Sequence, residues 1–195
     1  MLKDRIEKHL KEQPTEIFKE EKEFAEKHHL LSDGNVIEIK NPDTRFLDAY
    51  IERGDKETEE VLSKETAEFL NQPIKYFKNH KNEFMYLESK WFDLVGADAI
   101  SFETDAVFGN YEVMLGLKLP KKAETAIKTY IKENTLTSTP KYSLMFSQQD
   151  GLWDLNFSLN DLEGFTEDLS IYDAYQSIYQ FLFNLVSVVE GNRNN

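Results

Sequence analysis

Acid–base chemistry is the one reaction class for which this sequence supplies residues in quantity. Asp98, Glu103 and Asp105 bracket an alternating stretch around Ile100 and Phe102, and Asp150, Asp154 and Asp161 bracket another around Trp153 to Leu159. General acid–base catalysis needs two such groups held at a fixed distance with their pKa values driven apart. An enzyme of this kind would therefore show a concave pocket holding at least two of Asp98, Glu103, Asp105 and Asp154. With 36 acidic residues in 195, carboxylate clusters also arise by default on a solvated surface.

Other chemistries lack their parts. There is no GxSxG elbow, and the absence of cysteine excludes a thiol nucleophile, a thiolate zinc site, a disulfide framework and a thiol redox motif. The eight glycines are scattered, with neither GxGxxG nor GxxxxGK[ST], so no nucleotide cofactor has a visible socket. His9, His28, His29 and His80 form no HExxH or other ligand-spaced motif. On a helix, neighbours such as His28 and His29 point about 100° apart and cannot chelate as a unit. No cofactor and no metal are expected.

A second feature is aromatic. Tyr172, Tyr175, Tyr179 and Phe183 follow spacings of three and four, beside a mainly aliphatic series of Ala174, Ile178, Phe181, Leu182, Leu185 and Val189. Such a helix is apolar on two sides and must be covered on both. Either N-terminal helices cover the aromatic stripe, or it is a homodimer or partner contact of the kind tyrosine anchors serve.

Charge narrows the partners. With 23 basic and 36 acidic residues the formal net charge is −13, which repels a phosphate backbone and removes the main term in nucleic-acid binding. Nucleic acid and anionic membranes are not expected as partners, whereas a protein partner or self-association is. The acidity is either a solvated coat or a face matched to a basic protein. MLKDRIEKHLKEQ has no continuous apolar run like that of a secretory signal, and no later stretch is apolar enough to span a bilayer, so the expected location is the cytoplasm.

The elements that must position these residues are clearest after residue 95. Ile100 and Phe102 alternate with polar neighbours. After Gly109-Asn110, Tyr111, Val113, Leu115 and Leu117 do the same. A helix from Lys121 to about Asn134 follows, then strands at Tyr142–Phe146 and Trp153–Leu159 separated by Gln148-Gln149-Asp150-Gly151. Ser170 with Asp173 starts a final helix to about Val189. Residues 1–94 are more densely charged, with 16 basic and 22 acidic side chains against 7 and 14 in the remainder. They read as helices over 2–13, 14–30, 44–53, 56–70 and 73–94. Pro14 sits at a first helical turn, Ser32-Asp33-Gly34-Asn35 forms a loop, and Val36–Lys40 forms an edge strand. The expected fold is α+β: a helical N-terminal half, 1–94, packed on a two-layer sandwich, 95–190, whose four-stranded antiparallel sheet runs β-β-α-β-β-α, with 191–195 a disordered tail and the whole one compact unit.

KWFDLVGADAISFE, residues 90–103, and GLWDLNFSLNDLEGFTEDLSIYDAYQSIYQFLF, residues 151–183, resemble a small uncharacterised family of Gram-positive bacterial proteins, some labelled branched-chain amino acid aminotransferase. A pyridoxal-phosphate transaminase needs a Schiff-base lysine, a phosphate cup and a carboxylate clamp. The sheet half has few lysines, no glycine-rich cup and Arg193 as its only arginine, so the residues do not support that label. The element order also resembles small secretion chaperones in outline. The function expected first is a non-catalytic binding protein. A small enzyme using hairpin carboxylates and a chaperone- or immunity-type neutraliser of a basic partner are the alternatives.

Overall fold

The computed structural model describes residues 1–12, 16–31 and 37–191. In chain order the elements are α1 (Leu2–Glu12), β1 (Glu16–Ile17), α2 (Lys19–Lys27), β2 (Glu38–Ile39), β3 (Tyr50–Asp55), β4 (Val61–Glu65), α3 (Tyr76–Asn79), β5 (Glu83–Glu88), α4 (Lys90–Val95), β6 (Ala97–Thr104), β7 (Tyr111–Leu117), α5 (Glu124–Glu133), β8 (Tyr142–Ser147), β9 (Leu152–Ser158) and α6 (Ile171–Gly191). Strands β3 to β9 form one seven-stranded sheet in the order β4-β3-β5-β6-β7-β9-β8, with every pairing antiparallel. β1 and β2 form a separate short parallel pair.

The sheet is covered on one face. Tyr111, Val113, Leu115 and Leu117 of β7 are buried while Glu112, Met114 and Gly116 between them are partly exposed, and β6 and β9 repeat that alternation. Period-two patterning of this kind means a sheet with one face on a core and one on water. α6 lies centrally in the covering layer, beside α5, α4 and α1. Its Ala174, Ile178, Leu182 and Leu185 are fully buried. α1 adds Leu2, Ile6 and Leu10, buried at the spacing of four that its sequence displays. Each large aliphatic side chain so buried contributes about 1.5–3 kcal/mol.

The fold is α+β, but the helical N-terminal half and the four-stranded sheet expected from the sequence are corrected. Where a helix over 44–53 was expected, a 3₁₀ turn (Pro42–Thr44) leads into β3. The expected helix over 56–70 is β4 followed by a 3₁₀ turn (Ala67–Asn71). The span 73–94 holds α3, β5 and α4. Three strands of the sheet thus come from before residue 95, and β5 pairs directly with β6 across that point, Phe84 with Glu103 and Leu87 with Ile100. The physical reasons differ by strand. β4 is an edge strand with neither face buried, so it has no apolar period. β3 turns Arg53 toward the helical side, where Glu65 and Glu83 hold it at 2.8 Å each, so charge hides its alternation. In β5, Met85 and Leu87 face the core while Phe84 and Tyr86 face outward, giving an unbroken apolar run. Of the expected N-terminal helices, α1 and α2 are present. Of the expected edge strand, Glu38–Ile39 is β2; Pro14, the Ser32–Asn35 loop, Val36 and the tail with Arg193 lie outside the described residues. After residue 95 the expected β-β-α-β-β-α order is found, with a 3₁₀ turn (Lys121–Ala123) leading into α5.

One buried cluster ties the N-terminal segments to α6. The Arg45 side chain has no exposed surface; its guanidinium lies 4.0 Å from the ring centroids of both Phe18 and Tyr179. Nη1 donates to Glu21 Oε1 at 2.6 Å and Nη2 to Glu20 Oε2 at 2.8 Å. The Glu21 carboxylate, also fully buried, accepts the Tyr179 hydroxyl as well. Burial opposes the charge on Arg45, yet Tyr179 and Glu21 hold its pKa above the ordinary value. Removing one partner of such a pair strands an ion in the interior. Arg45→Ala is expected to cost about 3–5 kcal/mol in urea unfolding, and Arg45→Leu combined with Glu21→Leu less than either single change. A cost for Arg45→Ala below about 1 kcal/mol would show that the cluster is dispensable.

Candidate functional site: the open sheet face

The face turned away from the helices is open and acidic. Among the described residues it carries Glu52, Glu88, Asp98, Glu103, Glu112 and Asp154, against Lys64 as the one base from a strand. The register brings several of them together: Glu52 lies opposite Tyr86, and Tyr50 opposite Glu88. The Tyr86 hydroxyl donates to Glu88 at 2.6 Å, and that of Tyr50 donates to Glu52. The Tyr86 phenol is raised far above its usual pKa, by partial burial first and then by Glu88, Asp98 and Glu52. Phe84 lies over Gly54 on the neighbouring strand, where any Cβ would run into the ring.

The four sequence-predicted carboxylates separate into two pairs. Asp98 and Asp154 line a shallow recess of about 400 Å³ with Tyr86, Ser101, Met114 and Asn156. A register shift between Ala97 and Ile100 swings Asp98 toward β7, where Oδ1 accepts from the backbone N–H groups of Ala99 at 2.8 Å and Gly116 at 3.2 Å. Gly116 pairs with Asp154, and a Cβ there would lie 2.9 Å from Asp98 Oδ2, so only glycine lets Asp98 approach. Glu103 and Asp105 line a second recess, about 510 Å³, with Lys56, Phe108, Glu112 and Lys141. Asp105 caps the β6–β7 turn by accepting from the N–H groups of Val107 at 3.0 Å and Phe108 at 2.9 Å, bonds that lower its pKa. Lys56 lies 3.2 Å from Glu103.

Comparison with known proteins returned nothing: no family model, curated protein or solved structure matches this chain.

The aromatic stripe faces inward. Tyr175 and Tyr179 have no exposed surface, and Phe183 packs edge-on against Phe24 of α2 at 5.8 Å. Tyr175 donates to the Ile100 carbonyl at 3.3 Å, and Tyr179 to Glu21. The Tyr172 hydroxyl donates to the Pro42 carbonyl and accepts the Arg45 N–H at 3.1 Å. Segments of the N-terminal half, together with β6, thus cover the stripe. The face of α6 left to solvent is polar, with Gln176, Gln180 and Asn184 lining a groove of about 520 Å³ beside α5.

Two of the histidines serve packing. His9 sits edge-on to Trp91 at 5.1 Å, and burial lowers its pKa. His80 stacks on Tyr76 at 4.0 Å. Among the described residues no three His, Asp or Glu side chains gather where they could hold a metal.

Sequence reasoning passed over Glu112, Tyr86 and Phe84. Glu112 had a signal, as an outward charge in the best-defined strand. Its pKa is raised, first by burial and then by Asp105, with smaller effects from Glu103 and Asp161. A carboxyl whose folded pKa is raised adds stability below its unfolded pKa, and that contribution is lost as pH rises through the folded value. Between about pH 4 and about pH 7, Glu112→Gln should therefore gain stability relative to the wild type as pH increases. Parallel stability curves would show that Glu112 titrates as in the unfolded chain.

Proposed function

We propose that this chain is a non-catalytic binding protein of the cytoplasm whose open sheet face receives a basic protein, in the manner of an immunity protein or chaperone that neutralises its partner. The observation carrying this reading is the run of six carboxylates against one strand lysine on the face that the helices leave uncovered. The basic side chains most suited to bidentate pairing are turned to internal use: of the chain's four arginines, Arg5 binds the Leu94 carbonyl, Arg45 the Glu21 carboxylate and Arg53 Glu65 and Glu83. Tyr50, Phe84, Tyr86, Met114 and Met145 lie among the acids as apolar contact area, the mixture that suits a protein interface. The same field disfavours nucleic acid as a partner.

Catalysis has less support. Asp98, Glu103 and Asp105 each have a structural role already, at a bulge, beside a lysine and in a turn.

Complementary charge steers association and weakens with salt. Polylysine is the probe. Reversing two sheet-face acids, Glu52→Lys with Asp154→Lys, is expected to weaken its binding about tenfold at low salt. The same charge change on the helical side, Glu26→Lys with Glu133→Lys, should weaken it about twofold. Titration by fluorescence anisotropy, with circular dichroism to confirm folding, checks this. Equal losses in the two variants would mean that net charge alone, and not this face, attracts the probe.

A further inference from the structure

The two edges of the large sheet are built differently. β4 carries Lys64 and Glu65, spans only Val61–Glu65, and its pairing with β3 is broken by a register shift between Arg53 and Gly54. Charge and a bulge are among the devices that stop an edge from pairing with another chain. β8 has neither. Its six residues, Tyr142 to Ser147, include no charge, glycine or proline, and they pair with β9 without a register shift. Among the described residues no further strand lies beyond β8, and Met145 on its outward face is 65% exposed.

We infer that β8 is a homodimer interface, in which two copies pair antiparallel about a two-fold axis through Leu144 and extend the sheet across both subunits. The occupant is a second copy because the strand is complementary to itself in this register. Opposed residues in an antiparallel pair share a face. On the helical face Leu144 meets the partner subunit's Leu144, and Tyr142 meets the partner subunit's Phe146, both aromatic rings that are half-buried at the rim of the core. On the open face Ser143 meets the partner subunit's Met145. One residue beyond the strand, Lys141 comes opposite the partner subunit's Ser147, whose hydroxyl donates to Asp150 at 2.7 Å, so opposite charges meet at each end of the pair. Slipping the axis to Met145 would set Leu144 against Phe146 and leave Tyr142 beyond the strand's end. With the axis perpendicular to the sheet, both helical layers lie on one side and both acidic faces on the other.

The absence of cysteine makes a crosslinking test clean. Residues opposed across the axis have Cα atoms about 4.5–5.5 Å apart, within disulfide reach, whereas two copies of residue 145 are diagonal neighbours at about 7–8 Å. Leu144→Cys is therefore expected to crosslink under mild oxidation, and Met145→Cys, although more exposed, to crosslink far more slowly. In light scattering the wild type should have twice the 22.8 kDa chain mass. Ser143→Lys with Met145→Lys sets like charges opposite each other and should raise the dimer dissociation constant at least about tenfold, while Ser143→Glu with Met145→Lys restores opposite charges and should dimerise like the wild type. Both substituted positions are exposed, and circular dichroism confirms folding. A wild-type monomer at every concentration, faster crosslinking at residue 145 than at residue 144, or equal behaviour of the two charge variants would overturn the proposal. Added salt should favour the dimer by screening the repulsion between two subunits of charge −13. Polylysine binding should move the opposite way, so each proposal can fail without the other.

Discussion

A guanidinium buried between two aromatic rings sets the terms for this structure. Arg45 enters the interior from the segment after β2, and Glu21, which neutralises it, comes from α2; Tyr179 of α6 completes the carboxylate's hydrogen bonding, and Trp91 of α4 lies 5.3 Å from the charge. Four segments distant in sequence therefore meet at one ion pair that cannot be rearranged piecemeal. Desolvating two charges is costly and is offset only when geometry and hydrogen bonding are satisfied together. The cluster thus specifies where α6 sits more sharply than apolar contact, which tolerates sliding, would do alone.

Placement of α6 determines the rest of the helical layer. Its aliphatic stripe is buried, its aromatic stripe packs on the N-terminal segments and on β6, and its polar stripe faces water. Near the other end of the helix, Glu190 accepts the N–H of Leu2 and lies 3.8 Å from Arg5, which in turn holds the Leu94 carbonyl at 2.7 Å. One helix therefore anchors α1, α2 and α4 together. All of this covering falls on one side, and the opposite side of seven strands is left as a surface of carboxylates, phenols and thioethers.

How much of this was legible in the sequence depended on whether a strand's two faces differ chemically. β7 and β9 alternate aliphatic with polar residues and announced themselves. β5 carries aromatic residues on its solvent face, so it read as part of a helix. β3 buries a charge against other charges, and β4 buries nothing, so neither shows a period. The helical stripe of Tyr172, Tyr175 and Tyr179 was legible as a second buried side of α6, but the residues that cover it include a 3₁₀ turn and an arginine that look like ordinary surface sequence. Likewise, Asp98 and Asp154 share a recess only because a bulge displaces one and β9 inserts beside β7 after a helical excursion. Neither event leaves a local mark beyond Gly116.

The order in which these segments leave the ribosome has its own consequence. Arg45 and Glu21 emerge early, but the hydroxyl that completes their site belongs to Tyr179, and the carboxylate that holds Leu2 and Arg5 belongs to Glu190. Until α6 has been synthesised, the nascent chain holds an ion pair with no interior to enter and a sheet with no central helix to cover it. Its native core therefore closes late, after translation has reached α6 and not progressively as the chain appears.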